Sequence, residues 1–253
     1  MQKPPSRPPV LFNRPTYEWI NRVSQKHKHF AALDLNSKQK ESVARWVETG
    51  FVYSTLALEG VDVSREQIAR FASPPATGNE AAVAHLLASL REAWTHARND
   101  GLAAVLTPEL LLRLNDPSGE GEAGFRKTAA GAKGPFKPVP AEHLSAIIES
   151  ACLWFAAESF TELTPVEQAS IVHLRMLEIQ PFEASNQRMA FVAASLFTLR
   201  SQLPPVIVTH ERASAYRAAL NEGLRMDTKP MVELMAEAIE ATLDGMIDLA
   251  EGK

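Results

Sequence analysis

Apolar side chains recur along this chain every three to four positions, the spacing that places them on one face of an α-helix. Between residues 37 and 59, Val43, Trp46, Val47 and Phe51 form one such stripe. Gly60 follows, where a chain leaving a helix often turns left-handed. Ser64 is placed to start the next helix, with Gln67 at the reciprocal position of a capping box. Residues 79–98 repeat the stripe through Val83, Leu86, Leu87, Leu90 and Trp94. Thr107-Pro108 supplies a cap and then a proline at the first helical position. Thr164-Pro165 does the same, with Glu167 completing a capping box. The helix from there to Ile179 is apolar on most sides, which predicts an enclosed, central position. Further helices are predicted over 140–157, 187–202, 211–222 and 230–250. No repeat period appears and β-structure is scarce, so the expected class is all-α, a helical bundle.

Two stretches break the helical pattern. Residues 1–14 are Pro-rich and read as an extended arm, because proline cannot sit inside a helix. Residues 117–139 are punctuated by Gly and Pro. A short hairpin turning at Gly131–Gly134, with Phe125 and Phe136 on its arms, or a loop, is expected there. The arms lack the β-branched residues that stiffen strands.

Composition narrows the function classes. The 253 residues suit one large domain, or one domain with a helical extension, and the 45 % hydrophobic share is enough for a sizeable core. The net charge is −4 with mixed signs, which argues against nucleic acid as a partner. The densest basic spot, Gln25–His29, reads as a solvated helix face. Cys152 is the single cysteine, so no disulfide forms within the chain. The N-terminus lacks an apolar signal core, and the run "AFVAASLF" is too short to span a bilayer, so no membrane role is expected and the cytoplasm is the default location. The seven histidines show no metal-ligand spacing. His173 sits inside an apolar helix and reads as a satisfied core histidine. The four tryptophans, Trp19, Trp46, Trp94 and Trp154, fall at helical spacings and also read as core.

One turn does not fit a plain bundle. In "EIQPFEASNQRMAF", residues 178–191, two apolar helices are joined by a cluster of Gln180, Ser185, Asn186, Gln187 and Arg188. This turn resembles the signature of the Fic (Fido-fold) family, H-P-F-x-[DE]-G-N-G-R-x-x-R. Further stretches match in the same order. "STLALEG" is similar to the family's inhibitory helix, with Glu59 at the inhibitory position. "LTPELLLRL" and "GFRK" resemble the approach to the flap, the hairpin that docks a protein target. "FKPVPAEHLSAIIESACLWF" resembles the exit from the flap. "LPPVIV" and Tyr216 resemble the strand-like segment and the tyrosine near the nucleotide base. The resemblance implies a helical Fic/Fido bundle with a short flap. It divides the chain into the arm 1–14, an N-terminal helical region 15–100, a Fic core 101–225 and a C-terminal helix 226–253. It also implies AMP transfer from ATP to a hydroxyl on a protein, with Mg²⁺.

The signature departs from the family at the chemistry. Pro181, Phe182, Asn186 and Arg188 are kept, but Gln180 stands at the position of the general base and has no titratable nitrogen. Losing a positioned base typically costs about 10²–10⁴ in rate. Ala184 replaces the Mg²⁺ ligand and offers no oxygen. Ser185 and Gln187 replace two glycines whose backbone N–H groups approach the phosphates. Phe191 replaces an arginine whose fork would hold the terminal phosphate. The expectation is a catalytically degenerate Fic protein acting by binding or regulation. The alternative is altered or residual nucleotidyl or phosphoryl transfer. ATP and Mg²⁺ are expected to bind weakly or not at all, and no metal site is assigned. Ser185, Asn186, Gln187, Arg188 and Tyr216 are the candidate contacts for a nucleotide or another anion, although Asn186 alternatively serves as a helix cap and Tyr216 as packing. Glu59 either pairs with Arg188 or points to solvent. Phe125, Arg126 and Lys127 are the candidate flap contacts for a protein partner, and self-association is left open.

Overall fold

In a computed structural model, the structure describes residues 18–70, 79–117, 124–130 and 138–253. Among the described residues eleven α-helices follow one another: α1 (Glu18–Ala32), α2 (Ser37–Leu58), α3 (Arg65–Arg70), α4 (Asn79–Asp100), α5 (Pro108–Asn115), α6 (Leu144–Phe155), α7 (Glu158–Thr161), α8 (Pro165–Ile179), α9 (Asn186–Leu199), α10 (Ala213–Gly223) and α11 (Lys229–Glu251). No strand occurs among the described residues, and the all-α expectation holds. The predicted hairpin at Gly131–Gly134, and Phe136 with it, lies outside the described residues.

Local chemistry sets the helix ends. Ser64 and Gln67 exchange their capping-box bonds at 2.7 and 3.1 Å, and Thr164 and Glu167 do the same at 2.8 and 3.3 Å. Thr107 caps α5 through Leu110 N–H. Asn36 and Gln39 form a further capping box at the start of α2. Gly60 adopts φ +80°, the left-handed value expected after α2.

Packing then orders the layers. Every residue of α9 from Met189 to Leu199 is buried, so this helix is the axis of the domain. α8 packs along it, and α2, α4 and α5 close its other sides. The segment 203–208 after α9 is buried without a strand partner, and Val206 N–H is met by Ser195 Oγ at 3.1 Å. No helix among the described residues is long and apolar enough to cross a membrane.

Two expectations change. The basic spot at Gln25–His29 is not simply solvated: α1 docks on α11. Lys26 Nζ meets Glu240 at 3.0 Å, and His29 faces Glu251 at 3.1 Å. Sequence spacing shows which face a side chain takes, but not that an acidic stripe faces it. The tryptophans also divide. Trp19 is buried, but Trp46 is 37 % and Trp154 45 % exposed. The Trp46 ring lies against Gly245 of α11, where a β-carbon would come within 2.4 Å of it. Cys152 is buried as expected, and desolvation pushes its thiol up to about 12.

Candidate functional site

The turn between α8 and α9 is built from two left-handed residues. Gln180 closes α8 at φ +47°, and Ser185 precedes α9 at φ +67°. Neither is glycine, so each carries a backbone conformation that L side chains rarely adopt. Asn186 is not a cap. Its Oδ1 accepts from Phe182 N–H at 2.9 Å and its Nδ2 donates to Phe182 O at 2.7 Å, which clasps the turn into a closed loop. Phe182 is buried and packs on Phe125, with ring centroids 6.0 Å apart.

Below the turn, Arg188 is held by Glu59. The carboxylate accepts from the Arg188 backbone N–H at 3.0 Å, from Nε at 3.0 Å and from Nη2 at 2.7 Å. Both side chains are about 15 % exposed, at 15 % and 14 %. Of the two orientations open to Glu59, the structure takes the paired one. The last residue of α2's cap thereby supplies the negative charge that the N-terminus of α9 attracts through its free N–H groups and dipole.

One turn further along α9, Phe191 is fully buried. Its ring lies 4.4 Å from that of His173 and 5.5 Å from that of Tyr216. His173 Nε2 and the Tyr216 hydroxyl share a hydrogen bond of 2.9 Å. Burial holds the His173 imidazole neutral, with its pKa lowered to about 3, and raises the Tyr216 phenol. His173 is the core histidine expected, but only half satisfied: Nε2 is bonded to Tyr216, and Nδ1 is buried without a hydrogen-bond partner. Tyr216, a candidate nucleotide contact, is only 3 % exposed and belongs to this cluster, so it presents no surface to a nucleotide base. The sequence offered Phe191 in place of an arginine, His173 in an apolar helix and Tyr216 as alternative packing, but not that the three meet.

The flap residues also separate. Arg126 was a candidate target contact, but it is 3 % exposed and its guanidinium faces inward. It donates to the carbonyls of Gln180 at 2.6 Å, Thr128 at 2.8 Å, Ile179 at 3.3 Å and Val139. Its N–H bonds Pro181 O at 2.9 Å. Glu183, which the sequence left without a role, accepts from Lys127 N–H at 3.0 Å and Thr128 Oγ1 at 2.7 Å, and these bonds keep its carboxyl below the usual range. Lys127 has an exposed side chain, and Phe125 is half-buried. The flap base and the turn are therefore one bonded unit.

The donor set does not fit a divalent cation. Ala184 has no side-chain oxygen, the Asn186 oxygen is bonded to Phe182 N–H, and the Glu183 carboxylate is spent on the flap base. Among the described residues no group of His, Cys, Asp and Glu could hold a metal ion. The Gln180 side chain makes no hydrogen bond among the described residues. The Gln187 side-chain nitrogen is buried without a partner.

All but the last residue of the helix–turn–helix 165–199 falls inside a longer match. The Fic/DOC family model covers residues 105–198. This chain carries a region that matches the Fic family. Over 126 residues, half of the chain, it is 32 % identical to a protein adenylyltransferase, fic-1, of Caenorhabditis elegans. The chain spans about a quarter (25 %) of that relative's length. The Fic fold is also seen in a Fic-domain-containing signaling protein of Bacteroides thetaiotaomicron. That structure aligns with a TM-score of 0.80 at 20 % identity, covering 93 % of this chain and 98 % of that one. A Caenorhabditis elegans Fic-1 fragment aligns at 0.76 and 23 % identity, covering 91 % of this chain and 71 % of that one.

Proposed function

We propose that this Fic protein has lost AMP transfer and acts by binding, as a regulatory protein related to the adenylyltransferases. The observation that carries the reading is Gln180. The turn holds it in place, with Arg126 fixing its carbonyl, yet its side chain has no group that takes a proton near neutral pH. Arg188, the cation retained in the signature, is already neutralised by Glu59. The exposed part of the flap, around Lys127, is the surface proposed for a protein partner.

The test incubates the chain with ATP, Mg²⁺ and a cell lysate, and follows intact mass. No mass increase of one AMP is expected on this chain or on other proteins, and none with Glu59→Gly. Calorimetry should show that Mg²⁺ does not improve ATP binding. AMP incorporation by the Glu59→Gly variant would overturn the reading.

One observation favours the second reading, altered phosphoryl or nucleotidyl transfer. The N-terminus of α9 still grips an anion, the Glu59 carboxylate, through backbone and guanidinium together. If that grip serves a substrate, Glu59→Gly should melt at a higher temperature with one member of a nucleotide panel and turn it over.

A further inference from the structure

At the far end of α9, about 20 Å from the turn by the helical rise, the chain has a second concavity. It is a cleft of about 400 Å³ where α1, α2, α4 and α11 meet the segment that follows α9. Such a volume suits a small organic molecule. Its walls are apolar, with Phe30, Trp94, Leu203 and Met246 among them, and they include two guanidiniums, Arg98 and Arg200, and no carboxylate.

Arg200 is 6 % exposed and has no carboxylate partner among the described residues. It donates to Ala104 O and Gln168 Oε1, both at 2.8 Å, and lies over the Phe197 ring at 4.3 Å. Its Nε is buried with no partner. These neutral partners hold the guanidinium but leave its charge uncompensated, and burial pulls its pKa down. Arg98 stands exposed at the rim and makes no ion pair among the described residues. The other exposed arginines of α2 and α4 differ, since Arg45 and Arg91 are each paired to a glutamate.

We propose that this cleft binds a small organic anion, a flat apolar body carrying one carboxylate. Arg98 takes the carboxylate at the rim, in the bidentate geometry that a guanidinium fork offers. The positive field of Arg200 lies behind it, and the body of the ligand covers Phe30, Trp94 and Met246. A single charge fits better than a phosphate because, Gln202 apart, the remaining lining side chains are apolar and have little with which to solvate a second one.

The probe is naphthalene-2-carboxylate, titrated into the full chain by calorimetry and followed by tryptophan fluorescence. One site is expected. The uncharged naphthalene-2-methanol should bind at least about tenfold more weakly, as one lost charge-assisted fork implies. Acetate, which lacks the apolar body, should not bind. Arg98→Glu should weaken the naphthoate by at least about tenfold without changing the melting temperature, because the residue is exposed. Arg200→Met is expected to destabilise the fold, so the decision rests on Arg98. The proposal is overturned by equal binding of the alcohol. Unaltered binding to Arg98→Glu, or no saturable binding up to roughly millimolar probe, overturns it equally.

Discussion

Phe191 and His173 lie ring to ring, their centroids 4.4 Å apart, and neither is reached by solvent. The position that would carry an arginine in the Fic signature is therefore part of the core. Phe191→Arg should destabilise the chain by about 3–5 kcal/mol or more, the range for losing a buried aromatic, with the burial of a charge added. Urea denaturation measures this. A loss below about 1 kcal/mol would mean that the side chain at 191 has an open route to the turn.

The same cluster makes stability depend on pH. His173 has a folded pKa of about 3, against about 6.5 in the unfolded chain. Between those values the unfolded state binds more protons. The His173 contribution is thus fully present above about pH 6.5 and is lost as pH falls toward 3, by up to about 1.4 kcal/mol per pH unit. His173→Gln should flatten the stability profile between about pH 6.5 and 5, before most carboxylates titrate. Equal slopes in the two proteins would show that His173 titrates normally.

Glu59 and Arg188 should be strongly coupled. Removing one partner leaves a mostly buried charge, so Glu59→Gln and Arg188→Met should each cost about 1–3 kcal/mol. The double variant should cost less than their sum, with a coupling of about 1.5–3 kcal/mol, as for hydrogen bonds to charged groups. A coupling near zero in the double-mutant cycle would reduce the pair to a surface contact.

Ser185 holds φ +67° without being glycine. Ser185→Gly should stabilise the chain by roughly 1 kcal/mol, because glycine reaches the left-handed region without the β-carbon penalty. A destabilised Ser185→Gly would indicate that the serine hydroxyl has a role of its own.

Much of the fold is legible in the sequence because helix ends are written locally. Ser64 with Gln67, Thr164 with Glu167, and Gly60 each announce a terminus within four residues, and the structure places a terminus at each. The site is less legible. Arg126 and Tyr216 occupy positions that the resemblance gives to a target and a nucleotide, yet both side chains are buried. Their partners lie 43 to 54 positions away, Tyr216 to His173 and Arg126 to Gln180. No periodic pattern carries information over that distance. Phe191 shows the same limit: its type says that a guanidinium is missing, and only packing says what fills the space.

Arg126 also bears on the order of events in folding. Two of its acceptors, Ile179 O and Gln180 O, sit at the C-terminal end of α8, so they are in place only once that helix has formed. Fastening them closes a loop of 54 positions with one side chain, and contacts of such separation form late because the loop must close first. The flap base should therefore be the last part of the Fic domain to gain protection during refolding. Pulse-labelled hydrogen exchange should find the amides of Lys127 and Thr128 protected after those of α8 and α9. With Arg126→Met they should stay unprotected while both helices close on schedule.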